Sequence, residues 1–463
     1  MRISLRAPRR IVDLWGPRLR ERLGDRYALE FVGTDDDALC LGLARVVEAG
    51  LFGDRLEESM GPARSNPPIP GADADLVLTL RVDGASSGSS LVGRLLTREP
   101  PLLEVVDGDG RVLATSYAAV ESPHQLSKSV DRIGARVFAM WLRAIERHQT
   151  ETIARAEVLP LERGPTTSGS CMKVAGALSG RLGSALVRRL APSREPTWRL
   201  AVRGTTQGSP WDDVGAWTPL EHDGFLADPC LHQGPSGLHI FAEALAPGRA
   251  RGVIACAPVS EAGTAGSWRT VLEATHHLSY PFVFSHDGET FMVPESGASG
   301  RVELFRAKHY PYEWVREALL VEGPRLVDAT LLHRNGLWWL FAGGAEVGDS
   351  THDQLFIYFS EALTGPWRAH PRRPIWSDCR NARPAGALIE VGGTIFRPSQ
   401  NNSQRYGGGL VWSEVIELTP DGYQETQVAN WSGSDFGDCV GVHTFSRAGK
   451  WEAVDLLTRK RRF

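Results

Sequence analysis

Polar residues of several chemical types open five short apolar segments in the second half of the chain, about fifty residues apart. They are Asp228, Tyr280, Asp328, Arg383 and His443. A purely structural core does not favour such a set, because buried charges are costly unless they are paired. Carboxylates, a guanidinium and an imidazole can bind polar ligands and exchange protons. Their recurrence therefore predicts a functional site.

A second group of polar residues stands where the next strand of each segment ends. In an antiparallel pair, the start of the first strand and the end of the second lie at the same edge. We therefore expect the same site to contain Glu243, Glu295, Arg397 and Gln400, with Asn401 and Tyr406 just beyond.

Cleavage or transfer of a glycosidic bond uses carboxyl groups of this kind. One group protonates the leaving oxygen, and another activates the acceptor or stabilises the cationic centre. Asp228 and Asp328, on the first and third of five units, would face each other across a pocket. That separation favours inversion if they are the catalytic pair.

Structural explanations exist for several of these residues. Asp228 precedes a proline, so it could cap its own backbone in a turn. Asp328 could be the buried partner of an arginine, and His443 could be a hydrogen-bonded structural residue. Arg383 and Arg397 could serve to neutralise the acids, and Tyr280 could pack.

The elements that position these residues repeat along the chain. Each copy reads as two strands joined by a turn: FLADPCL…GLHIFAEA, LSYPFVF…GETFMVPES, LVDATLL…GLWWLFAGG, ARPAGALI…GTIFRPSQ and GVHTFS…KWEAVDLL. Five such units predict a five-bladed β-propeller, whose inner strands begin around one axis. Trp217, Trp268, Trp314 and Trp367 recur with the same period and would cover the seams between blades.

Three regions follow from these patterns. Residues 1–150 alternate helical and strand patterns, with strands in YALEFVG, ADLVLTLRV and LLEVVDGDGRVLATSYAAV. They predict an α/β domain with helices in IVDLWGPRLRERLG, DDALCLGLARVVEAGLF and LSKSVDRIGARVFAMWLRAIERH. Residues 151–197 read as a helical connector, and residues 198–463 as the all-β propeller.

Composition and the absence of certain motifs exclude several classes of function. The 463 residues are 42% hydrophobic and 23% charged, with a formal net charge of −4. This balance favours a globular protein that binds neither nucleic acid nor an anionic membrane surface. The six cysteines form no CxxC pair, and no P-loop or GxGxxG follows a strand, so we expect no metal or other cofactor. No signal peptide or transmembrane segment is recognisable, which predicts a cytoplasmic protein. The oligomeric state is left open.

Several phrases carry a resemblance to known families. HHLSYPFVF…FMVPESG, VDATLL…GLWWLFAG, LTGPWRAHPRRP, ARPAGALI and RPSQNN…YGGGL resemble the N-terminal propeller domain of plant glucosamine inositolphosphorylceramide transferases and its bacterial relatives. FLADPCL…GLHIFAEA resembles the first-blade motif of five-bladed propeller glycosidases, the arabinanase/xylosidase and levansucrase group. The N-terminal region is faintly similar to formyltransferase-like domains.

These resemblances imply roles and also departures. The glycosidase resemblance implies that Asp228 is a general base. Those enzymes place an Asp where this chain has Tyr280 and a Glu acid where it has Asp328, so Glu295 becomes a substitute acid. Glycosyl transfer in the plant proteins belongs to a separate C-terminal domain. The N-terminal region lacks the Asn, His and Asp set of formyltransferases, which implies a non-catalytic domain.

The predicted function is therefore a carbohydrate-active protein, glycosidase-like or glycosyl-transferring, in surface glycan or glycolipid metabolism. Its partner would be a sugar, a glycoside or a sugar nucleotide. A non-catalytic glycan-binding propeller is the alternative, and a formyl- or acyl-transfer protein is the second alternative.

Overall fold

The computed structural model describes residues 2–24, 27–34, 75–84, 91, 94–95, 99–121, 126–150, 196–205, 208–222, 224–245, 251–346 and 350–458. The chain divides into two compact units, Met1–Pro192 with Glu346–Ser350, and Ser193–Ala345 with Thr351–Phe463. The predicted helix in DDALCLGLARVVEAGLF and nearly all of the predicted connector lie outside the described residues.

The first unit contains a five-stranded sheet and two described helices of ten or more residues. Its elements are β1 (Arg2–Pro8), α1 (Arg9–Leu23), β2 (Ala28–Thr34), β3 (Leu76–Val82), β4 (Leu102–Val106), β5 (Val112–Tyr117) and α2 (Leu126–Thr150). The strand order is β2-β1-β3-β4-β5, with β1 parallel to both of its neighbours and the rest antiparallel. Burial alternates along β3, as expected for a strand with one face on the core. The predicted strands of this unit are thus confirmed.

The second unit is a five-bladed β-propeller, which confirms the predicted architecture. The propeller sequence begins with two strands, β6 (Thr197–Gly204) and β7 (Thr218–Pro219). The first blade contains β8 (Phe225–Gly234), β9 (Gly237–Leu245), β10 (Val253–Pro258) and β11 (Arg269–Leu272). The second contains β12 (Ser279–His286), β13 (Glu289–Glu295), β14 (Arg301–His309) and β15 (Glu313–Glu322).

The remaining three blades follow the same plan. The third contains β16 (Arg325–Arg334), β17 (Leu337–Ala345), β18 (Gln354–Ser360), β19 (Arg368–Ala369) and β20 (Trp376–Ser377). The fourth contains β21 (Ile389–Val391), β22 (Thr394–Asn401), β23 (Gly409–Leu418) and β24 (Tyr423–Ser432). The fifth joins β25 (Cys439–Ala448) and β26 (Trp451–Thr458) to β6 and β7. The ring therefore closes by pairing the first strands of the propeller with its last ones in a single blade, and the sheets keep only their short outer edges.

The innermost strands share an irregularity close to their starts. In four blades, two residues of the inner strand stand opposite one residue of the next strand, which is a β-bulge. The bulged pairs are Asp228–Pro229, Tyr280–Pro281, Asp328–Ala329 and His443–Thr444. Bulges re-aim side chains, and here they mark four of the five predicted site positions.

Three of these bulges place a residue other than glycine in the left-handed region. The φ angles of Asp228, Tyr280 and Asp328 are 53°, 41° and 52°. This conformation costs about 1–2 kcal/mol per residue, so the surrounding contacts must hold it. Those contacts are hydrogen bonds within the site.

The tryptophans occupy the seams between blades, as predicted. Trp314 of the second blade meets Phe241 of the first with ring centres 5.9 Å apart. Trp217 of the fifth blade meets Trp431 of the fourth at 6.3 Å. The indole N–H of Trp314 and that of Trp217 each donate to a carbonyl three residues earlier. A Trp can therefore bury its ring between sheets while its only donor stays satisfied.

Candidate functional site

Asp228 lies at the centre of one hydrogen-bonded cluster. Its Oδ1 accepts from the Thr444 hydroxyl at 2.9 Å and lies 3.1 Å from Nε2 of His443. Its Oδ2 accepts from the backbone N–H of Tyr280 at 3.2 Å. The side chain is 6% exposed. Donors from the second and fifth blades therefore stabilise a negative charge on a carboxylate supplied by the first.

His443 stands between two carboxylates. Its Nδ1 lies 2.8 Å from Asp455, on the side opposite Asp228. Burial alone lowers the pKa of this imidazole, but the charges of Asp455 and Asp228 outweigh burial and raise the pKa to about 10. His443 is therefore an imidazolium at neutral pH.

Asp328 belongs to a second cluster. Arg383 donates to both of its oxygens, at 2.5 Å and 3.1 Å, and Gln400 donates at 2.8 Å. The Asp328 side chain is 1% exposed. A bidentate arginine and an amide donor leave this carboxylate little capacity to supply a proton.

Glu295, at the end of β13, is the carboxyl group most suited to proton donation. Burial and the charge of Asp328 raise its pKa well above the usual range, although Arg383 opposes this effect at 3.6 Å. A hydrogen bond to Asp328 adds to this rise in the pKa of Glu295. Arg383 and Gln400 donate to Asp328, so Glu295 is the carboxyl group of the two that is placed to donate a proton. The Glu295 side chain remains 15% exposed, so a ligand can reach it.

Tyr280 of the second blade makes hydrogen bonds that connect it to two other blades. Its hydroxyl lies 2.8 Å from Oγ1 of Thr330 in the third blade and accepts from the N–H of Gly386 at 2.6 Å. Gly386 has a φ of 129°, and a Cβ there would stand 1.9 Å from the carbonyl oxygen of Phe445. Only glycine therefore fits this approach between the fourth and fifth blades.

Glu243, at the end of β9, forms a dyad with His277. Nε2 of His277 lies 3.1 Å from Glu243, and Nδ1 accepts from the N–H of Gly252 at 2.9 Å. Burial raises the pKa of Glu243, and the nearby charge of Asp228 adds to that effect. The His277 side chain is 43% exposed, so the dyad connects the buried cluster with solvent.

Aromatic rings form one wall of the site. Tyr406 is 41% exposed and covers the guanidinium of Arg383 at 5.1 Å. It also stands 5.1 Å from the ring of His443, which Trp198 contacts from β6 at 4.1 Å. An exposed phenol beside buried charges offers a surface on which a sugar face could stack.

Two predicted site residues lie in other surroundings. The Arg397 guanidinium pairs with Glu425 of β24 at 2.6 Å and donates to the carbonyl of Asn381. Asn401 accepts from the backbone N–H and hydroxyl of Ser403 in its own loop. Arg397 and Asn401 therefore make local contacts outside the two clusters. The other predicted residues lie in the two clusters or at their rim: Asp228, Tyr280, Asp328, Arg383, Gln400, Glu295, Glu243, Tyr406 and His443.

A cavity of about 230 Å³ adjoins the Asp228 cluster. Residues of β8, β12 and β25 line it, together with Gly386 and Ala387. Since these are inner-strand residues of different blades, the cavity lies along the propeller axis. Asp228, Tyr280 and Thr444 form part of its wall, so Asp228 faces open space large enough for several waters.

Asp228, His443 and Asp455 are also the described residues whose ligand atoms could surround a metal, lying within 4.8 Å of one another. Their hydrogen bonds fit a protonated His443 better than a bound metal ion. Asp455 accepts three backbone N–H groups, and both ring nitrogens of His443 face carboxylates. A protonated imidazole presents an N–H to each carboxylate, whereas a metal cation would lie against the backbone N–H dipoles that point at Asp455.

Sequence reasoning missed several residues of the site. Asp455, near the end of the second strand of the fifth repeat, fits the rule that selected Glu243 and Glu295. His277 and Thr444 directly neighbour the predicted strand starts, and His352 lies 2.8 Å from Arg383. Trp198 could not be found from the repeat, because it belongs to the strand that closes the ring.

Among the described residues, no helix has the length and apolar character needed to cross a membrane.

Comparison with known proteins confirms the resemblance to the N-terminal domain of glucosamine inositolphosphorylceramide transferases. Residues 219–435 match the family described as glucosamine inositolphosphorylceramide transferase 1, N-terminal. The protein named glucosamine inositolphosphorylceramide transferase 1 from Arabidopsis thaliana is 33% identical over 210 residues, which are 44% of this chain and 27% of that one. Its namesake from Oryza sativa subsp. japonica is 34% identical over 208 residues, 44% of this chain and 28% of that one. The chain thus spans little more than a quarter of these relatives.

Solved structures also match. An exo-β-1,3-galactanase from Clostridium thermocellum is 12% identical with a TM-score of 0.37, and the match covers 49% of this chain and 59% of that one. A thermostable family-43 glycoside hydrolase is 10% identical with a TM-score of 0.39, covering 51% of this chain and 86% of that one. The five-bladed architecture rests on the sheets of this chain itself.

Proposed function

We propose that the propeller binds a sugar at the axial site and cleaves or transfers its glycosyl group. Glu295 protonates the leaving oxygen, and Asp228 accepts the proton of the attacking water or acceptor hydroxyl. Two carboxyl groups with opposite tasks are the minimum for this chemistry. The relatives named as transferases and the sugar-binding chemistry of the site support a carbohydrate substrate.

One observation carries the proposal: the two clusters prepare their carboxyl groups differently. Asp228 lies 3.1 Å from an imidazolium and accepts from a hydroxyl at 2.9 Å. Burial and the charge of Asp328 raise the pKa of Glu295 well above its usual range. Environments that separate two carboxyl groups in this way assign one as base and the other as acid.

Asp328 is a positioning residue in this proposal. Its contacts with Arg383 and Gln400 fix its own place, and its charge keeps Glu295 protonated. The sequence left Asp328 and Glu295 as alternative acids, and the surroundings of the two groups favour Glu295.

The test begins with a screen of aryl glycosides and sugar nucleotides, read by turnover and by thermal shift. With a substrate in hand, Asp228→Asn should lower kcat by at least about a thousandfold while binding changes little, because the amide cannot take up a proton. Binding would be measured by calorimetry at the same pH.

A matched control separates this effect from a general loss of charge. Glu322→Gln removes a carboxylate that pairs with Arg301 on the outer strand β15 and is 58% exposed. It should leave kcat unchanged. Equal activity of Asp228→Asn and the parent would show that Asp228 is not the base.

A non-catalytic glycan-binding propeller is the second candidate, and one observation favours it. Asp228 and Asp328 are nearly fully buried with every carboxylate oxygen engaged, as expected of a rigid binding site. This function predicts that a sugar raises the melting temperature while no glycoside or sugar nucleotide is consumed. Consumption of any substrate would exclude it.

The wider setting remains part of the proposal. Surface glycan or glycolipid metabolism in the cytoplasm is the setting that we propose, with the N-terminal α/β unit in a non-catalytic role. Cell fractionation followed by immunodetection tests the location. Recovery of the protein in the extracellular fraction would contradict the proposed cytoplasmic location.

A further inference from the structure

Asp455 occupies a position that the propeller fold does not require to be acidic. It is the single residue opposite the bulge His443–Thr444. The equivalent residues opposite the other bulges are Ala242, Pro294 and Ala342. Three blades therefore build the same bulge against a small or apolar residue, and a fully buried carboxylate in the fifth needs another explanation.

The contacts of Asp455 all lead to the site. Oδ1 accepts from the backbone N–H of His443 at 3.0 Å and from that of Thr444 at 2.9 Å. Oδ2 accepts from the backbone N–H of Asp228 at 2.9 Å. The same oxygen lies 2.8 Å from Nδ1 of His443. One side chain thus fixes the backbone of the base and the imidazole that faces it.

We propose that Asp455 is a positioning residue that acts on Asp228 through His443 and through the backbone. It holds the imidazole in its charged form between two carboxylates, with Nε2 of His443 3.1 Å from Asp228. It also restrains the left-handed backbone at Asp228. This inference rests on the proposed role of Asp228 as base.

The groups that face His443 define how it titrates. Asp228 on β8 and Asp455 on β26 are the acidic groups in contact with it. Glu243 on β9 interacts at longer range, Tyr406 presents the edge of its ring, and Trp198 on β6 covers the imidazole. Removing the charge of Asp455 leaves one contacting carboxylate, so the imidazole should lose its proton at lower pH.

The first measurement uses the parent protein alone. ¹⁵N-histidine NMR, with the His443 signals assigned from His443→Asn, should show a doubly protonated imidazole at pH 8. A neutral His443 at that pH would overturn the proposal without any variant at Asp455.

The second measurement compares Asp455→Asn with a matched control. In Asp455→Asn the titration midpoint of His443 should fall by at least about one pH unit. kcat/KM should fall by about tenfold or more even where His443 stays charged, because the backbone at Asp228 and the imidazole lose the contacts that fix them, with a smaller change in KM. The loss should grow above the lowered titration midpoint of His443.

Glu452→Gln provides the control because Glu452 is another fully buried carboxylate of β26. It pairs with Arg203 at 2.7 Å and with Arg447, and it touches none of the catalytic groups. It should lower the melting temperature but leave the His443 titration and the pH profile unchanged. If Asp455→Asn behaves in the same way, Asp455 is a structural residue only and the proposal is wrong.

The two hypotheses fail separately. If the parent turns over no substrate, the proposed function fails, while the NMR titration still decides whether Asp455 keeps His443 charged. If turnover is present and His443 titrates normally in both proteins, only the role of Asp455 is refuted.

Discussion

Burial, the charge of Asp328 and a hydrogen bond to Asp328 raise the pKa of Glu295 well above its usual range. Arg383 and Gln400 donate to Asp328, which occupies its oxygens as acceptors. At the residue scale, the hydrogen bonds of Arg383 and Gln400 to Asp328 therefore favour Glu295 as the acid.

Because Glu295 donates a proton in the proposed reaction, the effect of Glu295→Gln should depend on the leaving group. A leaving group that needs protonation, such as an alkyl alcohol, should react about a hundredfold to ten-thousandfold more slowly. A glycoside of dinitrophenol needs no proton and should lose less than about tenfold. The basic limb of the kcat profile should also disappear, because it reports ionisation of Glu295. Steady-state kinetics on both glycosides between pH 5 and 10 measure this.

Equal losses on the two glycosides would contradict the assignment of Glu295 as acid. Asp328→Asn distinguishes the neighbouring group. It removes the charge that holds the proton on Glu295, so the basic limb should move to lower pH rather than vanish.

At the scale of the strands, the repeat made much of the site predictable. Strand starts and strand ends meet at one edge, and in the structure Glu295 at a strand end lies 3.6 Å from Arg383. The β-bulge at Asp328–Ala329 was not predictable, because both residues read as ordinary strand residues. The prolines that follow Asp228 and Tyr280 are a bulge signal that sequence reasoning did not use. The pairing of β6 with β26 joins residues about 260 apart in sequence, and no local pattern encodes it.

Tyr280 provides the test at this scale, because its hydroxyl links the second blade to the third and fourth. Tyr280→Phe removes a donor to Thr330 and leaves the buried N–H of Gly386 without its acceptor. An unsatisfied buried donor costs about 1–3 kcal/mol. We expect the free energy of unfolding of the propeller to fall by that amount, measured by urea denaturation with tryptophan fluorescence.

Tyr312→Phe is the matched control, since Tyr312 is 39% exposed. It should change stability by less than about 0.5 kcal/mol. A Tyr280→Phe protein as stable as this control would show that water replaces the lost hydroxyl.

At the scale of the whole propeller, closure of the ring and the charge of His443 are linked. His443 lies between the first and last blades, and both carboxylates that contact it are buried. Its pKa is about 10 in the folded protein and about 6.5 in an unfolded chain. The folded state therefore binds more protons between these values, so stability must fall as pH rises through this range.

The stabilisation from this proton is fully present below pH 6.5 and is lost as pH approaches 10, with a total on the order of a few kcal/mol. Urea midpoints followed by tryptophan fluorescence should decline across this window in the parent. His443→Asn should be less stable at pH 6 and should show a much flatter decline, because it has no such proton to lose. Parallel declines in the two proteins would assign the pH dependence to other groups and would mean that ring closure does not depend on the imidazolium.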